Sequence, residues 1–271
     1  MWRMTETTQA ADGQYTYHEL TDTPEEAARQ ERVAEVYDEA SIRILGDLDI
    51  QPDWRCLDAG CGNGTVAEWM SRRAHSGLTT ACDLDGANIK VEPTPVLRTL
   101  ICDIADADFE PGSLDVIHAR LMLQHIADRE QVLDRMVQWL APGGTLVIAD
   151  GFDLAASGTT HPEYAEFYRR FWAMLDRASA TSPAWGRCYP EPLISRGLTD
   201  IRYEVVVQPV HGGNPYALMF RQGLEQQRAL IVGQGIEEAL LDSVLESLGD
   251  PAFWDLGFAL AYAVGRKKGA R

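Results

Sequence analysis

The chain predicts an α/β fold built on a doubly wound, mostly parallel sheet, and three observations lead there. Short apolar segments recur at 55–59, 78–82, 97–102, 114–119 and 145–149, most of them separated by stretches of helical periodicity. The first segment runs directly into Asp58-Ala59-Gly60-Cys61-Gly62-Asn63-Gly64-Thr65, a glycine-dense turn that opens a helix. With 45% apolar residues among 271, the chain has enough hydrocarbon for one sizeable core.

Thr23-Pro24-Glu25-Glu26 combines an N-cap, a proline at the first helical position and a capping-box glutamate, so a helix is expected from about 24 to 46. The strand at 55–59 leads through the glycine turn into a helix over about 65–74. Residues 83–96 contain Pro93 and Pro95 and leave room for little or no helix between the second and third strands. Asp128 and Gln131 form a capping-box pattern ahead of Val132, Leu133, Met136, Val137 and Leu140. Ala-Pro-Gly-Gly at 141–144 ends that helix, and strand five follows over Thr145 to Ala149. From 161 to 175, Tyr164, Phe167, Tyr168, Phe171, Trp172 and Leu175 share one broad helical face. Residues 200–208 alternate as a strand, 213–249 read as mostly helical, and 256–266 form a last apolar strand.

The formal net charge of −17 argues against a phosphate backbone or an anionic membrane surface as partner. Met-Trp-Arg-Met-Thr-Glu-Thr-Thr at the start lacks the apolar run of a signal peptide. The longest uncharged apolar stretch, Gly257 to Gly265, falls short of the ~20 residues of a membrane span, so a cytoplasmic protein is expected. Cysteines at 56, 61, 82, 102 and 188 form no C-x-x-C pair, and no compact Asp-Asp-Asn or His-rich group appears, so neither a disulfide nor a metal is expected.

Asp58-Ala59-Gly60-Cys61-Gly62-Asn63-Gly64 resembles motif I of the class I S-adenosylmethionine-dependent methyltransferases, D/E-x-G-x-G-x-G. The likeness continues through Thr-Ala-Cys-Asp-Leu-Asp at 80–85, Ile-Cys-Asp-Ile at 101–104, Leu-Asp-Val-Ile-His-Ala-Arg at 114–120 and Leu-Ala-Pro-Gly-Gly-Thr-Leu at 140–146. Tyr-His-Glu-Leu at 17–20, Trp185-Gly186-Arg187 and Gly197-Leu198-Thr199-Asp200 are similar to segments of a bacterial small-molecule group of that family. The resemblance implies a seven-stranded Rossmann-like sheet with an antiparallel hairpin at its end, for which 200–208 and 256–266 are the candidates. Helical lid insertions belong to the same picture. The expected organisation is an N-terminal helical cap at 1–46, a cofactor-binding core at 47–150, a helical substrate lid at 151–199, and the rest of the core with a helical insertion at 200–271.

Site residues follow from the same comparison. Asp83, at the end of strand two, is placed to accept both ribose hydroxyls, with Asp85 as the competing acid. Asp103 and Ile104 after strand three would meet the adenine amino group and ring, and Leu84 its other face. A turn role for Asp103, or substitution by Asp106, remains open. Asp58 would orient the glycine turn and the methionine ammonium, Gly60 and Gly62 would bring backbone close to the ligand, and Ala119 or Arg120 would offer a carbonyl to the same ammonium. An acidic group of the acceptor is the alternative partner for Arg120. Tyr17 is a candidate aromatic over the cofactor. His125 is the candidate base if the acceptor is a hydroxyl, the alternative being a hydrogen-bonded histidine at a helix start, while His118 within strand four is expected to pack. Tyr164, Phe167, Tyr168 and Trp172 are the candidate acceptor-binding aromatics, with a packed core face as the alternative.

The expected activity is methyl transfer from S-adenosylmethionine to a small molecule, in a setting of secondary metabolism. Two rivals stand beside it. A nicotinamide-dependent oxidoreductase would want glycine where Thr65 stands, and a protein holding S-adenosylmethionine for a non-methylating reaction would share the fold. The oligomeric state is left open, a homodimer included.

Overall fold

The computed structural model describes residues 23–154, 158–178, 181–182 and 184–269. Helix α1, Pro24–Gly46, starts as its cap sequence predicts: the Thr23 side chain accepts the backbone N–H of Glu26 at 3.1 Å. Strand β1, Arg55–Ala59, feeds helix α2, Thr65–Arg73. Strands β2, Leu78–Asp83, and β3, Leu97–Ile101, are joined with a single 3-10 turn, Gly86–Asn88, where a covering helix is absent. Strand β4, Leu114–Arg120, is followed by a 3-10 turn at Leu123–His125, helix α3 at Arg129–Trp139 and strand β5 at Leu140–Phe152.

Two local expectations are corrected. Asp128 has φ −89° and ψ 35°, not the extended backbone of a capping residue, and its side chain makes no cap hydrogen bond to α3. Strand β5 is also longer than its apolar run, because pairing with its neighbour continues through Gly151 and Phe152.

Beyond β5 lie helix α4, Pro162–Ala178, short helix α5, Glu191–Ser195, and strand β6, Thr199–His211. Helices α6, Pro215–Gln226, α7, Arg228–Gly233, and α8, Glu238–Ser247, precede strand β7, Trp254–Arg266. The seven strands lie in the order β3-β2-β1-β4-β5-β7-β6. Strands β1 to β5 are mutually parallel, and β7 runs antiparallel between β5 and β6. The expected antiparallel pair is therefore present, but as neighbours joined by a three-helix excursion instead of a hairpin.

Alternate strand residues point to opposite faces. Cys56, Val116 and Val147 enter one core with α1, α4, α6 and α8, whereas Leu57, Ile117 and Leu146 enter a second with α3 and α5. Strand order reverses between β1 and β4, so their carboxyl ends frame a crevice, the usual ligand position in such sheets. Among the described residues no helix is long and apolar enough to cross a membrane. No group of three His, Cys, Asp or Glu among them is placed to hold a metal ion. The five cysteines are free thiols.

Candidate functional site

The crevice opens where β1 ends. Gly60, Gly62 and Gly64 have φ of 69°, 55° and 86°, backbone that L side chains rarely adopt. The N–H groups of Gly60 and Cys61 both donate to the Cys82 carbonyl, at 2.8 and 3.0 Å, which ties the turn to the end of β2. Gly64 is the residue from which α2 starts, and a Cβ there would stand 2.6 Å from Val91 Cγ2. Gly64→Ala is accordingly expected to lose about 1–2 kcal/mol of stability from left-handed backbone alone. Urea denaturation measures it, and an unchanged midpoint would remove the strain account.

A cavity of ≈ 380 Å³ lies over this turn, at the lower end of the roughly 300–1,000 Å³ of small-molecule sites. Asp83 lines it. Its Oδ2 accepts the Gly62 N–H at 2.8 Å and its Oδ1 the Asp85 N–H at 3.1 Å, so the turn and the carboxylate position one another. A carboxylate has about four lone-pair sites, which leaves two for a ligand diol. Burial pushes the Asp83 carboxyl above its ordinary value, against the pull of those two N–H bonds. Asp85 is turned to another task, capping the 3-10 turn through Ala87 N and Asn88 Nδ2 at 2.9 Å each. Leu84 lines the cavity although 43% exposed, and Ile104 lines it from the end of β3. Asp103 also lines it while accepting the Ala105 N–H at 2.8 Å, so it makes the turn and faces the site together. Asp106 is exposed and outside the lining.

Asp58 and Ala119 stand behind the lining, which begins at Gly60 and Arg120. Asp58 is 2% exposed, and its Oδ1 pairs with His118 Nδ1 at 2.7 Å, while the turn itself hangs on Cys82 instead. Its Oδ2 is buried with no hydrogen-bond partner, the kind of orphan that a cationic donor would satisfy. Ala119 is registered between Ala59 and Ile148 inside the sheet. Arg120 lines the cavity with its charge already engaged: Nη2 donates to Asp38 at 2.8 Å and Nη1 to Ser41 at 3.0 Å. Ser41 further meets His118 and the Tyr262 hydroxyl, and Asp38 accepts from Thr65 at 2.6 Å. His118 is thus buried as expected, but inside a polar chain linking β1, β4, β7 and α1.

His125 lines the cavity from the turn after β4. Gln124 Oε1 accepts the Gly151 N–H at 2.8 Å, so its amide nitrogen faces His125 Nε2 at 2.9 Å and must donate. Nε2 is then the bare nitrogen, and Nδ1 carries the hydrogen toward Thr181 Oγ1 at 2.9 Å. Burial, together with the charges of Arg29 and Arg129, pushes the imidazole down to about 3. Behind it the buried Asp150 carboxyl accepts the Tyr189 hydroxyl on Oδ2 at 2.5 Å, while its Oδ1 has no hydrogen-bond partner.

The aromatic face of α4 divides. Tyr164, Phe167 and Tyr168 do not line the cavity; they are 2%, 0% and 0% exposed and pack on Phe253, Phe171 and Phe220. Their assignment as acceptor contacts is corrected, because α6 and the chain before β7 cover that half of the face. Trp172 does line the cavity, one residue beyond the lining Phe171. Tyr17 lies outside the described residues. Sequence reading missed Gln30 and Val33 on α1, Met219, Phe220 and Leu224 on α6, and Phe258 on β7. Apolar periodicity marks such residues as inward-facing but not as cavity-facing.

Residues 57–148 match the family described as a methyltransferase domain. The methyltransferase GfsG of Streptomyces halstedii is 32% identical over 131 residues, which cover 44% of this chain and 45% of that protein. The chain spans about half the length of the curated relatives it matches. Among solved structures, the YcgJ protein of Bacillus subtilis superimposes with a TM-score of 0.58 at 15% identity, over 86% of this chain and 100% of that one. A Haemonchus contortus phosphoethanolamine N-methyltransferase 2, in complex with phosphomonomethylethanolamine and S-adenosylhomocysteine, gives 0.51 at 20% identity over 80% and 49%. At those identities the two structures speak to the fold.

Proposed function

We propose that this chain, whose residues 57–148 match a methyltransferase domain, is a class I S-adenosylmethionine-dependent methyltransferase that transfers a methyl group from S-adenosylmethionine to a small-molecule acceptor. The observation that carries the reading is the joint placement of the left-handed glycine turn and the Asp83 carboxylate on one wall of the cavity, with Leu84 and Ile104 beside them. That set fits the cofactor: a carboxylate for a ribose diol, two apolar side chains for a purine, and backbone without Cβ where an amino-acid tail would lie. The orphaned Asp58 Oδ2 behind the turn adds a negative group suited to an ammonium. When bound, S-adenosylmethionine supplies an electrophilic methyl carbon on a sulfonium, whose bonding pair returns to sulfur as the acceptor's lone pair takes the methyl.

What the protein adds is alignment and a dry wall. Asp83 and the turn would hold the adenosyl end, and α1, α4 and α6 would enclose the acceptor. In this reading His125 shapes the cavity wall, with its Nδ1–H given to Thr181 and its Nε2 taken by Gln124. An imidazole whose conjugate acid is held near 3 is too weak a base to take a hydroxyl proton, and its bare nitrogen already accepts from Gln124. The small, largely apolar-lined cavity and the net charge of −17 support a small molecule over a nucleic acid as acceptor. A cytoplasmic enzyme of bacterial secondary metabolism is the setting that the sequence resemblance implies.

Calorimetry with S-adenosylhomocysteine tests the donor, and mass spectrometry for a product gaining one methylene unit tests transfer. Absence of binding at millimolar supply would end the reading. A pH prediction accompanies it. Unfolded His125 takes up a proton near 6.5 while the folded one refuses it down to about 3, so this residue makes stability fall as pH drops through that window. Asp150, raised by burial to about 7, runs the opposite way over the upper part of the same range. His125→Gln is therefore expected to flatten the acid loss by at most about 1.4 kcal/mol per pH unit relative to the unmodified protein. Chemical denaturation at about pH 6.5, 5.5 and 4.5 checks it.

A further inference from the structure

Resting on the methyl-donor reading for which end of the cavity is which, we infer that the acceptor end takes an uncharged, hydrocarbon-rich molecule whose oxygen accepts a hydrogen bond from Trp172 Nε1. Beside the glycine turn and Asp83, the cavity is lined by Phe171, Trp172, Met219, Phe220, Leu224 and Phe258, from α4, α6 and β7. Trp172 stands edge-on to Phe258, with ring centroids 6.1 Å apart and planes at 90°. Its Nε1 has no hydrogen-bond partner and is closed to solvent, an unspent donor that a ligand oxygen meets only after the ring turns.

Glu26, Arg29 and Arg120, which line the cavity, are matched inside the protein. Glu26, 3% exposed, accepts Arg29 Nε at 2.7 Å and Nη2 at 2.6 Å, and Gln30 Nε2 at 2.8 Å. Arg120 is paired with Asp38 at 2.8 Å. A charged acceptor would have to shed its water against aromatic and aliphatic carbon or break one of these pairs, and either is costly. A neutral ring system loses nothing comparable, and one oxygen within reach of the indole N–H would fix its direction.

The test titrates the unmodified protein with 2-naphthol, 2-naphthoate and naphthalene, by calorimetry at neutral pH, with and without saturating S-adenosylhomocysteine. The expected result is 2-naphthol binding at least about tenfold more tightly than 2-naphthoate, with naphthalene between them. Trp172→Phe is expected to bring 2-naphthol down to the affinity of naphthalene while S-adenosylhomocysteine binds as before, the latter showing that the variant is folded. Equal or tighter binding of 2-naphthoate overturns the uncharged class, as does failure of 2-naphthol to bind at its solubility limit. Unchanged 2-naphthol affinity in a folded Trp172→Phe overturns the indole contact. The two readings fail separately: 2-naphthol selectivity without any S-adenosylhomocysteine binding removes the donor, and S-adenosylhomocysteine binding beside an indifferent acceptor end removes this inference.

Discussion

Phe167→Ala is expected to lower the stability of the folded chain by about 3–5 kcal/mol, the usual cost of emptying a buried phenylalanine site. Phe167 is 0% exposed, stacked on Phe171 at 5.5 Å with planes 15° apart, and edge-on to Tyr168 at 6.4 Å. Its neighbours come from several elements of one core, so the hole left by the ring has little freedom to collapse. Urea denaturation with an unchanged slope measures the loss. The same variant should retain its affinity for S-adenosylhomocysteine, since Phe167 stays out of the cavity lining. A variant of normal stability that bound acceptors poorly would instead return Phe167 to the site.

Asp83→Ala should weaken S-adenosylhomocysteine binding by about 1.5–3 kcal/mol, roughly ten- to more than a hundredfold in Kd, if two charge-assisted hydrogen bonds are lost. Part of that loss comes from the turn, because the Gly62 N–H loses its partner when the carboxylate goes. Asp83→Asn separates the two contributions: an amide oxygen can keep Gly62 engaged while the charge that favours a diol disappears. Affinity should also fall on acidification, since burial raises the Asp83 carboxyl above its ordinary range and a protonated acid offers one acceptor fewer. Calorimetry across mildly acidic pH follows this, and a flat profile with undiminished binding in Asp83→Ala would take Asp83 out of the cofactor site.

These two residues mark what was legible in the chain and what was not. Asp83 was readable because its position depends on local events: an apolar strand ends, and the parallel neighbour carrying the glycine turn ends beside it. The cap of α1 was readable for the same reason, being a contact between Thr23 and Glu26. Phe167 was not. Helical spacing puts Tyr164, Phe167, Tyr168, Phe171 and Trp172 on one face but says nothing about what covers each part of it. Phe220 of α6 and Phe253 cover one part, and the cavity is left at the other.

The buried polar chain shows the limit more sharply. Asp58 and His118 meet because β1 and β4 pair with those two residues in register. Arg120 meets Asp38 because α1 crosses behind that strand end. His125 needed its neighbours as well: only the amide of Gln124, fixed by Gly151, determines which imidazole nitrogen is bare.

By itself the order of residues determined the parallel strands β1 to β5, the glycine turn, the cap of α1 and the acid ending β2, since each depends on short-range sterics and hydrogen bonds between near neighbours. Tertiary structure alone decided that β7 slots between β5 and β6, which aromatics of α4 line the cavity, and which side chains meet Arg120 and Asp58. Those outcomes come from packing surfaces brought together across long separations, where shape and burial, not local periodicity, select the contact.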